Sequence, residues 1–115
     1  MSQQGIDGSF VISADGTSKV CSQPFPECGT VTIALTLTGW TGNILPTLVG
    51  RGEPAGTAGT NTIYQRASLN TDVAAGTYMS TTDKYYFRLD GTRLELVTTG
   101  YGGGTATVAW SWSRG

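Results

Sequence analysis

The sequence predicts an all-β fold, and three observations carry that expectation. Of 115 residues, 19 are Thr and 17 are Gly. Thr is β-branched and fits a half-buried pleated surface, while Gly serves turns that need positive φ. Apolar and polar residues alternate at a period of two from Thr30 to Thr38 and again from Gly104 to Ser113. Ala and Leu nowhere fall in helical arrays.

A chain of this length makes one domain, able to bury roughly 65% of its extended surface in a modest core. Charged residues are 13% of the chain and the net charge is −1. Five Arg and two Lys are scattered among eight carboxylates, without the basic stripe of a nucleic-acid binder. No apolar run reaches the roughly 18 residues of a membrane span. The opening Met1-Ser2-Gln3-Gln4-Gly5 lacks a basic start and a long apolar stretch, which predicts no signal peptide and synthesis in a cytoplasm.

In chain order, residues 1–29 read as an N-terminal arm with a short hairpin, outside the core. Phe10-Val11-Ile12 and Lys19-Val20-Cys21 are its two strands, with Asp15-Gly16 turning between them. Pro24-Phe25-Pro26 forbids regular structure there, because two prolines remove donors and fix φ. Residues 30–115 read as the β-sandwich domain. Thr30 to Thr38 points Val31, Ile33, Leu35 and Leu37 one way, and Thr30, Thr32, Ala34, Thr36 and Thr38 the other. Gly39-Trp40-Thr41-Gly42-Asn43 is expected to close that strand as a turn, with Ile44 to Arg51 as its antiparallel return and Pro46 marking an edge or a bulge.

Residues 52–61 have no core-forming side chains and read as an exposed or contact loop. Thr62 to Ala67 is a short strand around Ile63 and Tyr64. Ser68 to Thr82 offers only Val73, Tyr78 and Met79 as anchors, with a turn at Ala74-Ala75-Gly76-Thr77. Lys84 to Thr98 reads as a hairpin about Asp90-Gly91, with Phe87 facing Leu94 and Tyr85 facing Leu96. Arg88 would face Arg93 and Tyr86 would face Glu95 on the other side. Tyr101-Gly102-Gly103-Gly104 is a flexible connection to a last strand that puts Ala106, Val108, Trp110 and Trp112 on one face. Seven to nine short strands with Gly turns add up to a single, jelly-roll-like β-sandwich.

Two stretches carry a resemblance. One is Thr30-Val31-Thr32-Ile33-Ala34-Leu35-Thr36-Leu37-Thr38-Gly39-Trp40-Thr41-Gly42. The other runs from Tyr86-Phe87-Arg88-Leu89-Asp90-Gly91 through Arg93-Leu94-Glu95-Leu96 to Gly104-Thr105-Ala106-Thr107-Val108. Over about residues 28–115 the chain resembles small β-sandwich structural proteins of tailed bacteriophages. The resemblance implies a virion protein of the head-decoration or cement kind, sitting on the capsid lattice as a trimer. It brings no catalytic residues with it. The chain departs from the pattern between residues 43 and 83, where a strand with an acidic, Ser-rich turn is replaced by a Pro-broken strand and the Gly-rich loop.

Few residues invite a chemical reading. Cys21 and Cys28 flank the two prolines, and three states stay open for them. They are reduced thiols, an internal disulfide worth about 2.5 kcal/mol by chain entropy, or a cross-link between subunits. Without His or further Cys they complete no zinc site. Trp40, Trp110 and Trp112 can be read as a sugar platform, but period two with Val108 puts Trp110 and Trp112 on the core face and leaves Trp40 capping a turn. Of Tyr85, Tyr86 and Tyr101, one belongs in the core, one on the sheet surface and one at a turn. Asp7-Gly8, Asp15-Gly16 and Asp90-Gly91 are turn signals rather than a calcium loop. Glu53 and Glu95 are a conceivable glycosidase pair that nothing in their spacing supports.

The expectation is therefore a non-enzymatic structural protein without cofactor or metal, made in the host cytoplasm and carried on the outer head surface of a virion. Its partners are the major capsid protein and copies of itself. The candidate contact residues are Phe10 and Phe25 in the arm and Trp40, Arg51 and Tyr101 in the domain. The rival expectations are a receptor- or glycan-binding fibre module and a neck or tail-completion protein.

Overall fold

The computed structural model describes residues 6–20, 29–50, 64–66, 71–73, 78–89 and 92–113. Two long strands organise them. β3 (Thr30–Gly50) and β7 (Thr92–Ser113) run antiparallel to each other along their whole lengths. Around them lie β1 (Ile6–Ile12), β2 (Gly16–Val20), β4 (Tyr64–Arg66), β5 (Thr71–Val73) and β6 (Asp83–Arg88). The fold is all-β, as expected. In place of two stacked sheets, hydrogen bonding links every strand into one seven-stranded sheet of order β1-β7-β3-β6-β4-β5, with β2 also on β7.

The long pair is bent in the middle. Its register shifts twice, between Thr38 and Thr41 and between Thr41 and Asn43. Glycines at positive φ supply the bend on both strands: Gly39 at 57° and Gly42 at 156°, facing Gly100 at 65° and Gly104 at 79°. Gly104 has no alternative, since a Cβ there would lie 2.2 Å from the Gly39 carbonyl oxygen. The expected turn at residues 39–43 is thus a bulged bend, and the strand continues through it. The expected return strand is the second half of β3. Likewise residues 101–104 are part of β7 and not a loose connection. Bulges let one strand serve two half-sheets with a sharp local change of direction.

On one side of the bend, β1, residues 105–113 of β7, residues 30–38 of β3 and β6 lie side by side. On the other, β2, residues 92–98 of β7 and residues 43–50 of β3 do so. One core draws on both. Val31, Ile33, Leu35, Tyr85, Phe87, Val108 and Trp112 come from the first half, and Val20, Ile44, Leu94 and Leu96 from the second. Period two holds throughout the first half, so its inner residues are those expected from the pattern.

Two further expectations need correcting. Residues 6–20 are not an arm outside the core: β1 and β2 pair with β7, not with each other, and Ile12 and Val20 are 4% and 1% exposed. Their apolar positions were too few to reveal a neighbour distant in sequence. Lys84 to Thr98 is not a hairpin, because β3 lies between β6 and β7. The Thr92 N–H donates to the Leu89 carbonyl at 2.9 Å, and the expected turn residues 90–91 lie outside the described residues. Tyr85, Phe87, Leu89, Leu94 and Leu96 are all buried as the pattern required. The chain nevertheless arches from one half-sheet to the other, so none of the expected cross-strand pairs exists. Pro46 sits where β3 has β7 on one side only among the described pairings, an edge position that tolerates its missing N–H.

Candidate functional site

The side of the first half-sheet turned away from the core is a ladder of small, uncharged residues. Thr30, Thr32, Ala34, Thr36 and Thr38 of β3 register with Ser113, Ser111, Ala109, Thr107 and Thr105 of β7. None of the ten is buried. β1 extends the ladder on one flank, with Asp7, Ser9 and Val11 opposite Ser111, Ala109 and Thr107. β6 extends it on the other, with Lys84, Tyr86 and Arg88 opposite Ala34, Thr32 and Thr30. Alternation dictates this: each inward Val, Ile, Leu or Trp leaves its neighbours facing out.

The ladder is not flat. Ala34 and Ala109 form a low floor, and the side chains around them rise to a groove of about 500 Å³ that Asp7, Ser9, Thr32, Lys84 and Ser111 help to line. Asp7 and Lys84 stand on opposite walls, on strands three spacings apart and two residues out of register, roughly 16 Å. The face therefore has a neutral centre, an acidic flank and a basic flank. Small hydroxyl side chains satisfy themselves with water or with a partner, and covering them strands no charge.

A second cluster sits at the bend. The Trp40 and Tyr101 rings pack with centroids 5.5 Å apart and planes tilted by 53°. The Trp40 indole N–H donates to the Gly42 carbonyl at 3.2 Å, and the Tyr101 hydroxyl donates to the Gly104 carbonyl at 2.8 Å. Asp15 accepts from the Tyr101 backbone N–H at 2.8 Å, tying the β1–β2 connection to β7. Trp40 and Tyr101, both expected at an interface, clasp the bulge together and are half-buried.

The remaining candidates fall in several places. Phe10 is half-buried and packs against the core. Phe25, Arg51, Glu53 and the two cysteines Cys21 and Cys28 lie outside the described residues. Trp112 is buried, and Trp110 is half-buried with its ring over Gly8, where a Cβ would come within 2.9 Å of the indole. The three Trp thus form no exposed row. Tyr85 is buried, Tyr86 lies on the outer face and Tyr101 at the bend, as expected.

Glu95 was not foreseen as buried. It is 0% exposed on the face of the second half-sheet away from the core, with the Arg93 Nε 3.2 Å from its carboxylate. Thr47, its partner across the strands, is 2% exposed. Its apolar neighbours Leu94 and Leu96 gave no warning, because they account for the opposite face. Among the described residues no group of three or more His, Cys, Asp or Glu converges as a metal ion would require.

No family model matches the chain, and no curated protein matches it. A solved structure does. The crystal structure of SPBc2 prophage-derived protein YomS aligns with a TM-score of 0.65 over 98% of this chain and 98% of that one, at 13% identity. The two proteins are similar in fold from end to end.

Proposed function

We propose that the protein is a structural component of a tailed-phage virion, a decoration or cement protein that binds the outer head lattice and stiffens it. The observation that carries this reading is the outer ladder: two registered strands of Thr, Ser and Ala, with charge only on the flanking strands β1 and β6. Such a face packs closely on another protein without burying an unpaired charge. The likeness in fold to a prophage-derived protein over the full chain supports the setting. Each copy contributes a modest contact, and repetition over a lattice multiplies it through effective concentration. The major capsid protein is the partner under the ladder.

The test is the copy number in purified particles, by quantitative mass spectrometry against the major capsid protein. Hundreds of copies support the decoration role. A dozen or fewer move the protein to the neck, tail or a fibre, and none removes it from the virion. In the first case Ala34→Arg, which fills the groove floor with a charge, should empty the capsid of this protein while leaving its melting temperature unchanged.

A further inference from the structure

We infer that β1 is a self-pairing edge, through which two copies join about a two-fold axis at Ser9 into one continuous sheet. β1 ends the strand order and pairs only with β7, in an unbroken register of seven residue pairs from Ile6–Trp112 to Ile12–Ala106. Its outer side therefore presents a row of backbone N–H and C=O groups with no described strand against them. Proteins commonly guard such a row with Lys, Pro, a bulge or a covering segment. Other edges of this sheet carry such guards: β2 has Lys19, and the second half of β3 has Pro46 and the Met79 N–H on the Ile44 carbonyl at 2.8 Å. Among the described residues β1 has none of these, and its only charge is Asp7. Val11 on it is 56% exposed, one of two large exposed hydrophobic side chains among the described residues.

β1 can lie antiparallel to a second copy of itself over its full length. Antiparallel pairing centred on Ser9 sets Ile6 against Ile12, Asp7 against Val11 and Gly8 against Phe10 of the other copy, using all seven residues of both strands. No like charges meet, since the two Asp7 lie at opposite ends. Each Gly8, which has no side chain to offer its neighbour, gains an aromatic ring across the new seam. Shifting the centre to Gly8 or Phe10 shortens the pairing to five residues. The axis stands perpendicular to the sheet, so the two outer ladders come to lie on the same side. Where the phage resemblance implies a trimer, the edge points to a two-fold pair. The inference does not depend on the virion reading: it concerns the isolated protein.

The experiment is sedimentation equilibrium of the full chain under reducing conditions, which removes any thiol cross-link, from low micromolar to near-millimolar concentration. The expected mass rises towards twice the chain's 12.0 kDa. Ser9→Lys puts two ammonium groups face to face on the axis and should raise the dimer dissociation constant at least about tenfold. Val11→Lys sets each new Lys against Asp7 of the other copy and should leave the dimer intact or tighten it at low salt. Both positions are exposed, so the monomer fold tolerates both changes. A monomer at every concentration, a trimer, or equal responses to the two substitutions overturns the inference. A monomer would leave the β1 edge to a strand from another protein.

Discussion

β7 passes through two environments within one strand. From Ala106 to Trp112 it alternates, buried residues facing the core and Thr107, Ala109 and Ser111 facing out. From Leu94 to Leu96 it is buried at three consecutive positions, Glu95 included. β3 changes in the same way, from the clean alternation of residues 30–38 to the run Ile44-Leu45-Pro46-Thr47-Leu48-Val49, of which four are buried. One half-sheet has a core face and an open face. In the other, β3 and β7 are buried on both faces, with Ile44, Leu94 and Leu96 in the main core and Thr47, Val49 and Glu95 buried on the reverse side. A sheet can meet a partner face-on only through the half that leaves a face uncovered. The ladder therefore exists because the bend divides the two strands.

Placing one charge in each half gives the greatest contrast. Val49→Lys buries an ammonium at a position with 0% exposure, directly across from Arg93, and should cost more than about 4 kcal/mol or prevent folding. Thr36→Lys, on the open face, should change stability by no more than about 0.5 kcal/mol, read by urea unfolding of both variants. The bend comes next. Gly104→Ala meets the Gly39 and Thr38 carbonyls at a φ of +79° and should cost about 3 kcal/mol, with loss of the near-ultraviolet signal of the Trp40–Tyr101 pair. Gly8→Ala pushes on the Trp110 ring, which is half-buried and has room to yield. About 1 kcal/mol is expected, with a shift of Trp emission towards longer wavelength. Thr107→Ala should be the quietest, within about 0.5 kcal/mol.

The same division explains what could be read from the sequence. Where one face is open, period two names the inward residues, and Val31, Ile33, Leu35, Val108 and Trp112 follow directly. The outer ladder is legible for the same reason. Where both faces are covered, alternation no longer separates in from out, and a continuous apolar run shows only that a strand is there. Glu95 was missed for another reason: Arg93-Leu94-Glu95-Leu96 alternates, so the pattern assigns it to an open face that is in fact covered. Pairing is harder still. Gly39 and Gly104 announce a change of direction, yet a glycine at positive φ serves a bulge and a turn alike. Asp90-Gly91 is a sequence signal for a reversal and says nothing of the partner of the strand that leaves it. β1 and β2 find their neighbour in β7, at the far end of the chain, which no local pattern records.

That pairing pattern has a kinetic consequence. Among the described pairings only β4 with β5 joins strands consecutive in the chain. β1, β2 and β3 all close on β7, so the entropy of closing long loops falls due before the contacts that repay it can form. Folding should therefore be slow for a chain of this size, in the range of milliseconds to seconds. Until β7 docks, neither half-sheet has its central strand, and the apolar faces of β1 and β3 wait unprotected in the company of other newly made copies.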